Sequence, residues 1–182
     1  MKNARKRPRA YWHLSRFYSN DTQMRKLFLA LLSASILLTC FANKATADVL
    51  AVIAPHNQNI QQIDASELSL IFWRKKLYWA DGKHIQAVNY AANNPLRLQF
   101  SLSILKSTPE TQTNYWNGLY FHGISPPHVV DSQEAMLRFV ADTAGAIGYI
   151  DACKLDDRVK ALAWINADGN LLNNAPELNC PQ

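Results

Sequence analysis

The chain has 182 residues, of which 19 are Lys or Arg and 14 are Asp or Glu, giving a formal net charge of +5. Residues 1–47 hold nine of these bases and one acid, so residues 48–182 keep 10 bases and 13 acids, a balance of −3. Because nucleic-acid binding depends on a cationic surface, this distribution argues against a nucleic-acid partner for the part of the chain after residue 47.

The N-terminal region has the three parts of a secretory signal peptide. Two cations follow Met24, residues 27–42 contain no Asp, Glu, Lys or Arg, and small residues stand at Ala45 and Ala47. A transmembrane anchor is the alternative, but an apolar segment that spans a bilayer needs ~20 residues, and this one is shorter. We therefore predict export, with cleavage after Ala47.

The leader, residues 1–47, raises two further questions. Residues 1–23 are basic and without periodicity, which fits either an extended n-region or a start codon assigned too early, and we place the start at Met24. Cys40 lies in a loose lipobox, but the residue before it is atypical, so we expect a cleaved signal rather than a lipid anchor at Cys40. The remaining 135 residues, 48–182, have the size of a single domain.

Two cysteines, Cys153 and Cys180, remain after cleavage. An even number of cysteines in an exported domain indicates a disulfide, because compartments outside the cytoplasm are oxidising. We predict a bond between Cys153 and Cys180 that ties the C-terminal tail to the domain. Two unpaired thiols are the alternative.

The first half of the domain begins with a strand and a helix. The apolar run 49–54, stopped by Pro55, predicts a strand that is buried on both faces, the kind found in parallel sheets, and central in its sheet. Asp64 and Glu67 have the spacing of a capping box, which predicts a helix after Asp64. Alternating apolar residues over 85–90 predict the second strand.

Polar caps and apolar periodicity predict the remaining elements in the same way. They are a helix from Pro95 to about Lys106, a helix opened by Ser107 and Glu110, a short strand at 129–130, a helix capped by Asp131 with Glu134, and strands at 146–150 and 159–165. The resulting order, β-α-β-α-α-β-α-β-β, predicts an α/β sandwich with a mixed sheet.

Two segments resemble the periplasmic phosphate-binding proteins of ABC transporters. Residues 71–82, IFWRKKLYWADG, resemble the IFxGKxxxWxDG segment of that family, and residues 145–150, GAIGYI, look like its GAIGYV strand. Arg74 stands where the family has glycine. The resemblance implies one lobe of the type 2 periplasmic binding protein fold, a three-layer α/β/α sandwich. It also implies a periplasmic location and a role in phosphate ABC transport.

The same resemblance offers a physical account of residues 71–82. We expect the rings of Phe72 and Trp79 in the core, and Gly82 in a tight turn with the preceding Asp81. The cations at 74–76 then lie at the C-terminus of a helix, where the helix dipole favours positive charge. A functional role for these cations remains the alternative.

The anion site of the family is altered in this chain. In the family, a segment like RSxGSGT holds phosphate with an arginine, hydroxyls and amides at a helix N-terminus. The corresponding residues 89–95 read NYAANNP, so Asn89 replaces the arginine and Pro95 lacks an amide donor. A helix start with polar caps and a first-turn arginine remains. The candidate anion-binding residues are Asn93, Asn94, Arg97 and Ser132.

Two functions follow from these observations. The first is an exported, non-enzymatic domain that binds phosphate or another small oxyanion and is associated with phosphate ABC transport. The second is an interaction or sensor-input module that contacts a membrane transporter or sensor protein and has no small ligand. The chain has no G-x-S-x-G, C-x-x-C or Walker motif. His122 and His128 lie six residues apart, with His56 and His84 elsewhere, whereas a metal site needs three or four converging ligands. We therefore expect no enzyme activity, metal or cofactor.

Overall fold

The computed structural model describes residues 49–60 and 62–180. The predictions for residues 1–47, which are the leader, the start at Met24, the role of Cys40 and cleavage after Ala47, lie outside these ranges. The strands are β1 (Leu50–Pro55), β2 (Gln86–Tyr90), β3 (His128–Val130), β4 (Ala146–Asp151), β5 (Val159–Ile165) and β6 (Leu171–Leu172). The helices are α1 (Ala65–Phe72), α2 (Pro95–Phe100), α3 (Gln112–Tyr120) and α4 (Gln133–Asp142), with a π-helix (Ser101–Leu105) and a 3-10 turn (Ala152–Lys154).

The strands form one mixed sheet in the order β3-β2-β4-β1-β5-β6. Strands β3, β2 and β4 are parallel, whereas β1 is antiparallel to both β4 and β5. The predicted α/β class with a mixed sheet is therefore confirmed. The expectation that β1 belongs to a parallel arrangement is wrong. All six β1 residues are buried because the strand is central in a covered sheet, and such burial does not depend on strand direction.

Helices cover both faces of the sheet, as neighbouring residues of β4 show. The Tyr149 ring stacks on Phe100, with ring centroids 4.0 Å apart, and Phe100 in turn contacts Phe72 at 4.5 Å. Gly148 points to the opposite face, where a Cβ atom would lie 2.5 Å from the Met136 sulfur. Helices α1 and α2 therefore pack on one face and α4 on the other, which gives three layers. Within the described residues, no helix has the length and apolar character needed to cross a membrane.

Two helix starts differ from their predictions. Ser132, and not Asp131, caps α4, because its Oγ accepts a hydrogen bond from the amide of Ala135 at 3.1 Å. Helix α3 begins at Gln112, later than predicted, because Ser107 and Thr111 join their hydroxyls at 2.7 Å in a turn that precedes it. Both segments contain several residues that can cap a helix, and their side chains also form local hydrogen bonds outside the helix, so the spacing alone does not determine where the helix starts.

The predicted Cys153–Cys180 disulfide is present. It joins the 3-10 turn after β4 to the C-terminal tail, with the two Cα atoms 5.4 Å apart. The 27-residue separation encloses β5 and β6. The covalent bond therefore fixes the tail against the domain beyond the last strand.

Glu134 is the centre of an ion-pair group that links α4 to the start of β5. Its carboxylate accepts hydrogen bonds from Arg158 at 2.8 and 2.9 Å and from Arg138 at 2.7 Å. These bonds lower the pKa of Glu134 from 4.5 to about 2. Arg158 also binds Asp156 and lowers the pKa of that carboxyl.

This group predicts a specific loss of stability in acid. A lowered pKa in the folded state means that the stabilisation is complete above pH 4.5 and is lost as the pH falls toward 2. We expect the difference in unfolding temperature between the native protein and Glu134→Gln to shrink over that interval. Thermal unfolding monitored by circular dichroism measures it. High salt should reduce the difference at neutral pH, because these side chains are exposed. A difference that is independent of pH would contradict the assignment.

Candidate functional site

The segment 71–82 begins with a Schellman motif at the end of α1. The amide of Lys75 donates to the Leu70 carbonyl at 2.8 Å, and the amide of Arg74 donates to the Ile71 carbonyl at 2.9 Å. Arg74 is the left-handed residue of the motif, with φ of 58°. Glycine is the usual residue at this position, which explains why the resembling family has glycine there.

The three cations of this segment have different surroundings. Lys76 forms an ion pair with Glu67, and Arg74 donates from Nη1 to the Ile85 carbonyl at 3.4 Å. Lys75 is exposed. Since two of the three cations are directed to groups of the same domain, the segment has a structural role, and its cations do not form a continuous patch for a polyanion.

The left-handed conformation of Arg74 leads to a stability prediction. Because a side chain in this region costs ~1–2 kcal/mol, we expect Arg74→Gly to raise the free energy of unfolding by about 1 kcal/mol. Arg74→Ala is the matched control, because it removes the guanidinium but keeps the backbone strain. Urea unfolding of both variants measures the effect. If the glycine variant were no more stable than the alanine variant, the conformation would not be strained.

The rest of the segment connects α1 to the sheet through Trp79. The indole is buried, and its Nε1 donates to the Gly145 carbonyl at 2.9 Å. The amide of Gly82 donates to the Trp79 carbonyl at 3.0 Å in a tight turn, with a φ of 81° at Gly82. Phe72 is fully buried, so the predicted core positions of both rings and the predicted turn are confirmed. The two segments that resemble the phosphate-binding family therefore contact each other directly.

The candidate anion-binding residues follow the carboxyl ends of two neighbouring strands. Asn93 and Asn94 come after β2, and Ser132 comes after β3, which is parallel to β2. Their side chains have different hydrogen-bonding roles. Asn94 caps α2, with its Oδ1 accepting from the Leu96 amide at 2.9 Å, and Ser132 caps α4. Asn93 is exposed. No hydrogen bond in the described part of the chain joins Ser132 to the asparagines.

Arg97 is the most unusual of the candidate residues because it is only 8% exposed. Its Nη2 donates to Gln112 Oε1 at 2.7 Å, and its Nε has no partner among the described residues. No carboxylate among residues 49–60 and 62–180 forms an ion pair with it. Burial lowers the pKa of this guanidinium. Within the described residues, the side-chain hydrogen bond that offsets the burial of this charge thus comes from a neutral amide.

The sheet and the helix that continues from α2 hold further buried polar side chains, and Tyr149 of the sheet is close enough to Arg97 for the charge to act on it. The Tyr149 hydroxyl donates to Asn89 Oδ1 at 2.7 Å. Burial raises the pKa of Tyr149, and the nearby charge of Arg97 opposes that rise. The hydroxyls of Tyr90 and Ser101 are buried and have no hydrogen-bond partner in the described residues. We name the guanidinium of Arg97 with these hydroxyls and the Gln112 amide the Arg97 cluster.

Sequence reasoning selected Arg97 but missed the rest of the Arg97 cluster. The spacing of Arg97 and Ser101, four residues apart on one helix, is the only signal that could have joined two of its members. Gln112 and Tyr149 are distant in sequence. Among the described residues, no three His, Cys, Asp or Glu side chains come together in a way that could hold a metal ion.

Comparisons with known proteins find structural similarity only. No protein-family model and no curated protein sequence matches the chain. An ABC-type phosphate transport receptor from Vibrio cholerae superposes with a TM-score of 0.52 and 19% identity, over 64% of this chain and 47% of the receptor. A putative phosphate ABC transporter substrate-binding protein from Clostridium perfringens, solved with bound phosphate, gives a TM-score of 0.52 and 21% identity, over 63% of this chain and 44% of that protein.

The similarity is one of fold, and it covers only part of each of the two larger proteins. At such low identity it does not transfer a ligand, and the chain spans less than half of each of the two receptors. The fold of these structures agrees with the fold that the sequence resemblance implied. The chain therefore has a type 2 periplasmic binding protein fold, over a span that corresponds to about half of the phosphate receptors that it resembles.

Proposed function

We propose that this domain is an exported, non-enzymatic binding domain for a small oxyanion, with phosphate as the first candidate, and that it works with a phosphate ABC transporter in the periplasm. The observation that carries the proposal is the buried Arg97, which has no carboxylate partner in the described residues. The fold supports it, because structurally similar proteins include a putative substrate-binding protein with bound phosphate.

The chemistry of the Arg97 cluster suits an oxyanion. A buried guanidinium needs a negative charge or several acceptors to offset its loss of hydration. The groups without partners are the Nε of Arg97 and the hydroxyls of Tyr90 and Ser101, and all three can donate hydrogen bonds. Phosphate supplies both the charge and the acceptor oxygens. An arginine can present its donors in a planar fork that matches this geometry.

The surroundings of Asn89 agree with this assignment. Asn89 stands where the resembling family has an arginine, and here it accepts a hydrogen bond from Tyr149. Tyr149 is also close enough to Arg97 for the charge to act on its pKa. We infer that Arg97 takes the place of the missing arginine. Asn93 and Asn94, just before the same helix, would bind the anion together with Arg97. Ser132 would make a secondary contact with the anion.

Titration calorimetry with inorganic phosphate and with sulfate tests the proposal. Arg97→Met should lose phosphate binding and still fold, because removal of an uncompensated buried charge costs little when an apolar chain of similar length replaces it. Arg138→Met is the matched control, since Arg138 is exposed on α4 and should leave binding unchanged. Native protein that gives no heat and no thermal shift with millimolar phosphate or sulfate would reject the proposal.

The second function, an interaction or sensor-input module, has one specific observation in its favour. Tyr120 and Phe121, at the end of α3, are 69% and 86% exposed, although aromatic side chains usually bury most of their surface. Such a pair suits contact with a membrane transporter or sensor protein. Two results together would favour this second function over anion binding. The native protein would not bind phosphate, and the double variant Tyr120→Ser, Phe121→Ser would no longer co-purify with a membrane protein.

A further inference from the structure

A groove lies between the π-helix and the turn that joins β5 to β6, apart from the residues of the Arg97 cluster. It encloses about 260 Å³. Its polar lining comes from Gln99, Ser103, Lys106 and Asp168, and Leu102 supplies an apolar wall. The turn approaches the helix closely at Gly169, where a Cβ atom would lie 3.0 Å from Ser103 Oγ. The two walls of the groove are therefore held together by direct packing.

The helical wall of the groove has two unusual backbone features. The helix that begins as α2 widens into a π-helix at Ser101–Leu105, a geometry that is frequent at functional sites. It ends at Lys106 in the left-handed conformation, with φ of 53°. A lysine in that conformation costs ~1–2 kcal/mol relative to an ordinary backbone. Strain of this kind is often retained where a side chain must be placed for binding.

The charges of the groove do not neutralise each other. Lys106 and Asp168 both line it, and neither takes part in an ion pair within the residues that the structure describes. The Gln99 side chain also lines the groove, but its oxygen is buried. A cation and an anion without ion-pair partners among the described residues thus line the same small space.

We propose that this groove binds a free α-amino acid. The ligand carboxylate would meet the Lys106 ammonium, and the ligand ammonium would donate to the Asp168 carboxylate. The ligand side chain would lie along Leu102, which is 48% exposed and free to cover an apolar group. The volume lies below the range of ~300–1,000 Å³ typical of pockets for drug-sized molecules, which suits one amino acid better than a peptide.

Thermal-shift and calorimetry measurements on the purified full chain test this proposal. The ligands are single amino acids, among them glycine and L-glutamine, at millimolar concentration. We expect at least one to bind. Lys106→Gly should weaken it about tenfold, because a hydrogen bond to a charged group contributes about that much to affinity. This variant also relieves the left-handed strain, so it should fold at least as well as the native protein. Asp168→Asn should weaken binding in the same way.

Matched controls separate the groove from other effects. Lys75→Gly removes an exposed cation elsewhere and should leave amino-acid binding unchanged. Betaine keeps the carboxylate but has no N–H donor, so it should bind more weakly than glycine. Arg97→Met should keep amino-acid binding, which makes the test independent of the phosphate proposal. Absence of binding by every amino acid, or equal affinity in native, Lys106→Gly and Asp168→Asn proteins, would overturn the assignment.

Discussion

Replacement of Gly145 by alanine is expected to lower the free energy of unfolding by about 3 kcal/mol. Gly145 has a φ of 78°, a conformation that is unfavourable for alanine, and the new Cβ atom would overlap the backbone carbonyl oxygen of His84. The Gly145 carbonyl also accepts from Trp79 Nε1 at 2.9 Å and from the Gln86 amide at 3.0 Å. Relief of the clash would displace one or both of these bonds.

Urea unfolding of Gly145→Ala measures this effect, and Gly82→Ala is its matched control. Gly82 has nearly the same φ, 81°, but apart from its chain neighbours no atom of the described residues lies within 4 Å of the position of a Cβ atom there. The control should therefore cost only the backbone strain of ~1–2 kcal/mol. Equal losses in the two variants would show that the close approach to His84 contributes nothing.

Removal of the disulfide should have an effect of similar size. We expect Cys180→Ser to lower the free energy of unfolding by about 3.5 kcal/mol, because a closed loop of 27 residues restricts the unfolded chain. The tail beyond β6 should also become sensitive to proteases, since in the described residues it forms no strand or helix after Leu172.

Chemical denaturation with and without a reductant measures the contribution of the disulfide. Reductant should lower the stability of the native protein to that of Cys180→Ser and should leave the variant unchanged. If the native protein kept its unfolding midpoint after complete reduction, the bond would not contribute to stability by restricting the unfolded chain.

The order of helices and strands could be predicted from local patterns. Asp64 caps α1 as expected, with its Oδ1 accepting from the Glu67 amide at 2.8 Å, because a cap depends on residues within one turn. The direction of β1 could not be predicted. An apolar run shows only that both faces are covered, and the neighbours that determine its pairing, β4 and β5, lie about a hundred residues away.

Only those parts of the candidate site that depend on neighbouring residues could be predicted from the sequence. The position of Arg97 in a first helical turn follows from Asn94 and Pro95. Its burial depends on Gln112 and Tyr149, which only the tertiary fold brings close. The groove beside the π-helix was not predicted, because its walls meet only when the β5–β6 turn packs on Ser103. The sequence showed that Arg74 departs from the family pattern. The left-handed backbone at Arg74 explains why the departure should lower stability.

The central position of β1 has a consequence for the order in which the domain can assemble. Leu50 pairs with Asp151 on one side and with Ile165 on the other. If the chain crosses a membrane with its N-terminus first, β1 emerges early and has no strand to pair with until residues 146–165 have followed. Dependence on such distant pairings also slows folding after release. In that case the sheet could close around β1 only after nearly the whole domain had arrived.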